Sequence, residues 1–239
     1  LLDFSNITDL KNPVTIVRAY GITIATTVIG TFLSVFLSTM TGYVLSRQDF
    51  PWREKVSFYF FFTTLFNGGL VPWYLLITRY LGLKNNILAL ILPMLFSVWN
   101  MIIAKTFMKG IPASITESGT IDGATDFRIF FSLILPLSKP LLATLSLFSA
   151  IAYWNDWYNC MLFISNDKLF TLQYYLQRML GSASAMRMVA EKSGMAMDSI
   201  PLSSMQMAMT VIATGPIILL YPFIQKYFVK GLTIGAVKG

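Results

Sequence analysis

Five stretches of this chain are each mostly apolar over about 20 residues or more, the length that a helix needs to cross the hydrocarbon core of a membrane. Their approximate ranges are 19–45, 56–78, 87–107, 137–162 and 205–227. Charged residues make up only 12% of the 239 residues, about half the share that is usual in a water-soluble domain. The sequence therefore predicts an all-α integral membrane protein, a helical bundle of about five transmembrane spans.

The first of these stretches carries small residues at short intervals, namely Gly30, Ser34, Ser38 and Gly42. Small side chains let the backbones of neighbouring membrane helices approach each other closely. We therefore expect the first span to be buried inside the bundle rather than to face lipid.

Lysine and arginine residues are distributed unevenly between the two sides of the predicted bundle. Ten of them lie in the connections after the first and third stretches and in the tail after the fifth, and eight lie on the opposite side. Because cytoplasmic connections carry the excess of basic residues, the N-terminus is predicted outside and the C-terminus in the cytoplasm. The net charge of +7 then reflects these connections, and no nucleic-acid partner is expected.

The remaining segments follow from this orientation. Residues 1–18 are interpreted as an external segment at the end of a longer N-terminal region, since the chain begins with neither Met nor a signal peptide. Residues 108–136 form a cytoplasmic loop, and residues 165–204 form an external loop whose part 169–180 has amphipathic helical spacing. Residues 228–239 are predicted to be a cytoplasmic C-terminal tail.

The residue types in the sequence exclude most enzyme chemistry. The chain has no histidine, which excludes His-dependent triads and His metal sites. Cys160 is the sole cysteine and cannot form an internal disulfide. The sequence also has no GxxxxGK[ST] phosphate-binding motif. No catalytic, metal-binding or cofactor-binding residue is therefore predicted in the chain itself.

The cytoplasmic loop has the pattern of a helix, a glycine turn and a second helix. Ser114 and Glu117 have the spacing of a capping box at the start of the first helix, and Gly123 can adopt the left-handed conformation that ends a helix. The second helix then carries three aromatic residues at helical spacing, Phe127, Phe130 and Phe131. The acidic side chains of Asp122 and Asp126 are either part of a docking surface or solvated acids of a first helical turn.

This loop resembles the "EAA" loop of the membrane subunits of bacterial ABC importers. Glu117 matches the glutamate of that motif, Gly123 its glycine and Pro136 its closing Leu-Pro pair. Ser118 and Gly119 stand where the family has two alanines, and both are still small.

Four further stretches, at 66–72, 135–140, 153–157 and 221–231, resemble the carbohydrate branch of these importers. The likeness is greatest to the oligosaccharide permeases called LplC- or YtcP-like, and it covers nearly the whole chain.

The resemblance implies a type I ABC importer permease fold, in which the family has six spans. It places the permease domain at residues 19–227 and makes the cytoplasmic loop a coupling helix. It further implies that the chain, in a bacterial plasma membrane, pairs with a second permease subunit. Two cytoplasmic ATPases, which bind ATP and Mg, would dock on the loops, and an extracellular solute-binding lipoprotein would deliver an oligosaccharide. The implied ATPase-coupling residues are Glu117, Ser118, Gly119, Asp122, Gly123, Ala124 and Pro136.

A second group of residues is predicted to line the path of the sugar: Asn67, Trp99, Asn100, Tyr153, Trp154, Asn155 and Asp156. Asn67 lies about eleven residues into the second stretch, roughly 17 Å deep at the rise of an α-helix. It marks either a packing kink or an unwound segment that lines the path. The cluster at 153–157 is either an aromatic belt at the membrane surface or a sugar-contacting group.

Two rival classes make different demands on the sequence. A stand-alone secondary transporter or channel needs several ionisable residues inside the membrane, whereas Asp156 is the only acid within a predicted span. An integral membrane enzyme needs a cluster of catalytic polar residues at one depth, and none is found. Both classes remain as alternatives to the importer subunit.

Overall fold

The computed structural model describes residues 13–192 and 206–215, and every regular element in those residues is helical. The elements are α1 (Pro13–Ser46), α2 (Arg53–Leu65), α3 (Leu70–Leu75, extended by a π-helical turn Leu76–Tyr80), α4 (Leu88–Ile91, extended by a 3-10 turn Leu92–Met94), α5 (Val98–Lys109), α6 (Ala113–Ile121), α7 (Asp126–Ile129, extended by a π-helical turn Phe130–Ile134), α8 (Leu135–Leu137), α9 (Lys139–Trp154), α10 (Tyr158–Phe163), a 3-10 turn (Asp167–Leu169), α11 (Leu172–Lys192) and α12 (206–215).

Helix α1 is the central element, and it packs most extensively against α5 and α9. Its small residues face these neighbours. A Cβ atom built on Gly42 would lie 2.6 Å from the Cβ of Ala104 in α5, and one on Gly30 would lie 2.4 Å from the ring of Tyr153 in α9. Ser34 and Ser38 are buried in the same contact. The small-residue side of α1 is therefore buried as predicted. The opposite side is exposed, with Val28 at 62% and Phe32 at 71%, so the prediction that the whole span is buried is only partly confirmed.

Two of the apolar clusters among the described residues lie at the two ends of α1, and a smaller third one joins Ile77, Ala89 and Phe163. The cluster near the start of α1 joins it to α9, α10, α11 and α12 through buried residues that include Ala19, Trp154, Cys160, Leu172 and Met209. The cluster near the end of α1 joins it to α5, α7 and α9 through residues that include Tyr43, Ala104, Ile129, Phe130 and Leu145. The second cluster connects the cytoplasmic loop to the bundle.

By length and composition, one helix among the described residues (Ile16–Ser46) can cross a membrane alone, and those residues contain up to four crossings if each bent helix pair is counted as one. The predicted span 19–45 lies within α1. The span 56–78 bends by 111° between α2 and α3, and the span 87–107 bends by 50° between α4 and α5. Each bend occurs where a few non-helical residues separate two helices. An average of hydropathy along the chain does not detect such a short break.

The other two predicted spans differ more from the structure or lie partly beyond it. The span 137–162 is interrupted between Trp154 and Tyr158, where α9 ends and α10 begins. An 83° bend also separates the helical segment Asp126–Leu137 from α9 (Lys139–Trp154). Of the span 205–227, only residues 206–215 are described, and they are helical. Residues 1–12, 193–205 and 216–239 lie outside the described residues. They include most of the predicted external segment 1–18, the end of the predicted external loop 165–204 and the whole predicted C-terminal tail 228–239.

The amphipathic segment predicted in the external loop is confirmed. It forms the 3-10 turn and the first part of α11, with Phe170, Leu172, Tyr175 and Leu176 buried against the bundle. The backbone N–H of Leu172 donates to the hydroxyl oxygen of Thr23 in α1 (2.8 Å), which satisfies one of the free donors at the start of α11. The external loop is thus packed on the bundle through this helix.

Candidate functional site

The cytoplasmic loop folds as a compact helical hairpin. Gly123 has φ +74° directly after α6, the left-handed conformation that favours glycine. The N–H of Ala124 donates to the carbonyl of Gly119 (2.9 Å), and the N–H of Gly123 donates to that of Thr120 (3.0 Å). This pair of bonds is a Schellman motif, which closes the C-terminus of α6. The prediction that Gly123 ends the helix is therefore confirmed.

The predicted start of α6 is wrong by two residues, because the capping box would place the N-cap at Ser114. The helix begins at Ala113, and Pro112 occupies the N-cap with an extended backbone (φ −57°, ψ 132°) and no side-chain hydrogen bond. A capping box requires the hydroxyl residue at the N-cap itself, but Ser114 already lies within the first turn. Proline is suited to the N-cap because its ring fixes φ near the value that a residue adopts just before a helix.

The two faces of α6 have different surroundings. Glu117, Ser118 and Asp122 are exposed, and Ile121 is 86% exposed beside them. On the opposite face Gly119 is buried, and a Cβ built there would lie 3.0 Å from Cγ1 of Ile129 in α7. Of the predicted coupling residues, Glu117, Ser118 and Asp122 therefore lie on the outward face, and Gly119 is the point of contact to α7. Gly123, Ala124 and Pro136 lie beyond α6, and Ala124 is half-buried.

Pro136 lies at the other end of the hairpin. It belongs to α8, which follows the π-helical turn Phe130–Ile134 and precedes the 83° bend into α9. Proline has no N–H to donate, and its ring displaces the carbonyl four residues earlier, so helices bend around it. The hydroxyl of Ser138 donates to the carbonyl of Ile134 (2.8 Å) at this bend. Pro136 therefore marks the elbow where the loop joins α9.

Arg47, just after α1, connects the bundle to the hairpin. Its guanidinium donates to both carboxylate oxygens of Asp49, at 2.8 Å for Nε to Oδ1, and also forms an ion pair with Asp126 at the start of α7. It donates as well to the hydroxyl of Tyr43 (3.4 Å), and Nη1 of the Arg53 guanidinium donates to the backbone carbonyl of Arg47 (3.3 Å). The guanidinium holds the pKa of Asp49 below its usual value, chiefly by hydrogen bonding.

This ion-pair cluster was not identified from the sequence. From the sequence, Arg47 is predicted only to be a cytoplasmic charge, and Asp126 to be either part of a docking surface or a solvated acid. In the sequence, Arg47 comes shortly after an apolar span and Asp49 follows two residues later, a spacing that favours an ion pair between these two neighbours. The contact with Asp126 joins residues 79 apart, so only the packing of α7 on α1 reveals it. A cleft of about 760 Å³ lies between this cluster and α6, with Glu117 at its rim.

Asn67 lies in the break between α2 and α3. Its Oδ1 accepts from the N–H of Gly69 (2.9 Å), and Gly69 has φ +89°. The break opens onto a cleft of about 500 Å³ that is also lined by Trp73 and Tyr158. Asn67, one of the residues predicted for the sugar path, therefore lines a cavity.

Trp99 and Asn100 point in different directions. Trp99 is 67% exposed on α5. Asn100 is 5% exposed, and its Nδ2 donates to the hydroxyl oxygen of Ser149 in α9 (3.2 Å). The hydroxyl of Ser149 in turn donates to Ser34 in α1 (3.5 Å). Asn100 thus joins α5, α9 and α1 inside the bundle, and its role in the sugar path stays a prediction.

Tyr153 and Trp154 are both buried at the end of α9. The hydroxyl of Tyr153 donates to the carbonyl of Ile91 (2.8 Å), and Nε1 of Trp154 donates to that of Ala213 in α12 (3.0 Å). A buried aromatic residue with a satisfied polar group is a packing element in this conformation. The two residues anchor α9 to α4 and α12.

Asn155 and Asp156 lie in the turn between α9 and α10. Asn155 is exposed, and its Oδ1 accepts from Gln173 in α11 (3.3 Å). The carboxylate of Asp156 accepts from the backbone N–H and from Nδ2 of Asn159, at 3.1 and 3.0 Å. Asp156 therefore caps the start of α10, which explains a carboxylate in an otherwise apolar stretch.

The residues in ranges 13–192 and 206–215 contain no group of three or more His, Cys, Asp or Glu side chains that could hold a metal ion. These residues provide an exposed face on α6, an ion-pair connection to α1 and a cleft at the α2–α3 break.

Comparison with known proteins agrees with this arrangement. Residues 34–234 match the family described as binding-protein-dependent transport system inner membrane component. The polygalacturonan/rhamnogalacturonan transport system permease protein YtcP of Bacillus subtilis (strain 168) is 41% identical over 224 residues, which cover 94% of this chain and 78% of the relative. The protein LplC of the same organism is 37% identical over 227 residues, covering 94% and 75%.

A solved structure has the same fold. It is the crystal structure of a bacterial ABC transporter involved in the import of the acidic polysaccharide alginate, with 29% sequence identity and a TM-score of 0.79. The likeness covers 95% of this chain and 80% of the other. The chain belongs to the family of binding-protein-dependent transport system inner membrane components, the permease subunits of ABC importers.

Proposed function

We propose that this chain forms half of the translocation path of an ATP-driven importer and carries the ATPase contact on α6. The observation that supports this most directly is the hairpin itself. Its α6 presents Glu117, Ser118 and Ile121 outward, while Gly119 and the Schellman motif fix it to α7. A short, exposed helix on a rigid support can dock in a groove of a partner and move with it as a unit.

Movement of α6 has two physical routes into the bundle. One runs through α7, whose Ile129 and Phe130 lie in the apolar cluster at the end of α1. The other runs through the ion pair between Asp126 and Arg47. Because both routes end on α1, the central helix, we infer that displacement of α6 by an ATPase shifts α1 relative to α5 and α9.

The cargo that we propose is an oligosaccharide. Its support is the similarity to the permease named for polygalacturonan and rhamnogalacturonan and to the structure from the alginate importer. The chain would then work with a second permease subunit, two cytoplasmic ATPases that bind ATP and Mg, and an extracellular solute-binding lipoprotein. We place it in the bacterial plasma membrane with its permease domain at residues 19–227, the coupling loop at 108–136 and the C-terminus in the cytoplasm.

The proposal is tested by Gly123→Asp, with Gly82→Asp as a matched control. Both glycines have positive φ (+74° and +64°), and nothing lies within 4 Å of a Cβ added at either one. The backbone strain of the two substitutions is therefore similar, roughly 1–2 kcal/mol, but only Gly123 closes α6. We expect Gly123→Asp to abolish ATP-dependent oligosaccharide uptake in cells and to reduce recovery of the ATPase with the permease in mild detergent.

The control variant is expected to retain uptake and ATPase recovery. Equal uptake by the Gly123→Asp and unmodified proteins, at equal amounts in the membrane, would rule out the coupling role of the loop.

A further inference from the structure

The break between α2 and α3 is irregular backbone in the middle of an apolar stretch. Helix α2 ends at Leu65, Phe66 is extended (φ −122°, ψ 126°), and α3 starts only after Gly69, with a bend of 111°. In a membrane, non-helical backbone is tolerated only where protein covers it or where it lines a water-filled cavity. Gly68 and Gly69 are exposed, and no atom lies within 4 Å of a Cβ added at Gly68.

The Asn67 side chain presents a free donor at this break. Its Oδ1 is engaged by the N–H of Gly69, which fixes the orientation of the amide. In the described part of the chain, Nδ2 of Asn67 has no acceptor, and the side chain is exposed. An oriented amide donor with no partner at this depth is suited to hydrogen-bond a polar ligand.

Two aromatic residues form walls of the same cleft. Trp73 on α3 is 36% exposed and Tyr158 on α10 is 43% exposed, and both line the cavity of about 500 Å³ that contains Asn67. Tyr158 is the first residue of α10, so the interruption between α9 and α10 supplies one wall and the α2–α3 break supplies the other. The volume and the combination of aromatic faces with a polar group are those of a small-molecule site.

We propose that Trp73 and Tyr158, together with Asn67, form a saccharide-binding subsite in the translocation path. This inference rests on the proposed function, because it assigns the residues that contact the cargo. The aromatic faces pack against the C–H faces of a sugar ring, and the amide of Asn67 donates to a hydroxyl. The lining that the structure describes carries no charged side chain, so the subsite takes the ring and hydroxyls of a sugar and not a carboxylate.

The first test uses the complete transporter in proteoliposomes with its binding protein and ATPases. The probe is the radiolabelled saccharide with the fastest ATP-dependent uptake among neutral and uronate di- and trisaccharides. Removal of one stacked aromatic face, in Trp73→Ala or Tyr158→Ala, is expected to lower uptake per ATP hydrolysed about tenfold. Trp73→Phe and Tyr158→Phe keep an aromatic face and are expected to retain most of the uptake. Tyr80→Ala, an exposed aromatic of the same helical segment as Trp73 but outside the cleft, is the matched control.

A second measurement does not depend on the alanine variants assembling correctly. Leu76 lines the cleft, and Cys160, the sole natural cysteine, is buried. The probe saccharide is expected to slow maleimide labelling of Leu76→Cys but not of Tyr80→Cys. Labelling of Leu76→Cys that the saccharide does not change, or unaltered uptake per ATP in both alanine variants, would overturn the subsite. Absence of saccharide uptake by the unmodified transporter would instead refute the proposed function.

Discussion

At the scale of single residues, glycines set how closely α1 approaches its neighbours. Gly42 and Gly21 belong to the same helix but have opposite surroundings. A Cβ added at Gly42 would lie 2.6 Å from the Cβ of Ala104 and 2.9 Å from the backbone nitrogen of Lys105, whereas one at Gly21 would meet nothing within 4 Å. The backbone of α5 cannot yield as a flexible side chain can, so the absence of a side chain at Gly42 is a packing requirement.

The contrast leads to a matched pair of substitutions. Gly42→Ala is expected to destabilise the permease by about 1–3 kcal/mol, because α1 and α5 must separate. Gly21→Ala is expected to be neutral or to stabilise it by up to about 1 kcal/mol, since alanine is the better helix former. The measurement is the thermal unfolding midpoint of each purified variant in the same detergent. A Gly42→Ala midpoint equal to that of Gly21→Ala would contradict the close helix contact.

Single residues also show why the sequence alone does not distinguish polar residues that bind a ligand from polar residues that pack inside the bundle. The motif that carries Glu117 and Gly123 is local, so its helix and turn were predictable from adjacent residues. Asn100 and Tyr153 have the same residue types as sugar-binding groups, but their partners, Ser149 and the carbonyl of Ile91, lie on other helices. Only the three-dimensional packing shows that these polar groups are already satisfied inside the bundle.

At the scale of elements, the hairpin of α6 and α7 is attached to α1 by a mixture of apolar and ionic contacts. The ring centroids of Tyr43 and Phe130 are 5.2 Å apart, and Arg47 pairs with Asp126 at the edge of this contact. Asp126 is 69% exposed, so the ion pair is a weak contact by itself. The apolar packing holds α7, and the ion pair biases the position of its first turn.

Opening of the hairpin can be measured by trypsin cleavage after Arg128, which is exposed in α7. Asp126→Asn removes an exposed ion pair of about 0.2–1 kcal/mol. The rate of cleavage of a transiently opened segment follows the opening equilibrium. We therefore expect trypsin to cleave purified Asp126→Asn permease about 1.4- to 5-fold faster than the unmodified protein. The difference should shrink at high salt, which screens exposed charges.

Asp167→Asn in the external loop removes an exposed carboxylate far from the hairpin and serves as the control. An acceleration as large in this control, or none in Asp126→Asn at low salt, would show that the ion pair does not hold α7.

The bends of the helices were less predictable than the helices themselves. Apolar length located the stretches that become α1, α2 with α3, and α4 with α5. The 111° bend depends on Asn67 and Gly69, two residues that change the average hydropathy of a window very little. The π-helical turn Phe130–Ile134 likewise follows from the elbow at Pro136 and from packing on α1, not from a periodicity that the sequence displays.

At the scale of the whole molecule, the two ends of α1 serve different partners. Near its end, α1 receives the coupling hairpin through Tyr43 and Arg47. Near its start, it receives α11 of the external loop through Thr23. Class and family were predictable because apolar content and the loop motif are properties of the linear sequence. The attachment of both loops to one central helix was not predictable from the sequence, because it depends on contacts between residues up to 149 positions apart.

This arrangement makes the orientation of the molecule testable with very few changes. Cys160 is the sole cysteine and is buried, so it is expected to react slowly with a maleimide in the folded protein. Lys55, near the start of α2, and Lys168, in the 3-10 turn Asp167–Leu169, are both exposed, and neither lies on α6. The predicted orientation places Lys55 in the cytoplasm and Lys168 outside.

We therefore expect a membrane-impermeant maleimide to label Lys168→Cys in intact bacteria, after removal of any outer barrier, and to label Lys55→Cys only after the membrane is opened. The unmodified protein controls for Cys160, and a permeant maleimide controls for folding because it should label both variants equally. The reverse pattern would place the α6 hairpin outside the cell, where no ATP is available to an ATPase docked on it. Because the coupling role requires α6 to face the cytoplasm, this labelling pattern tests that role before any saccharide has been identified.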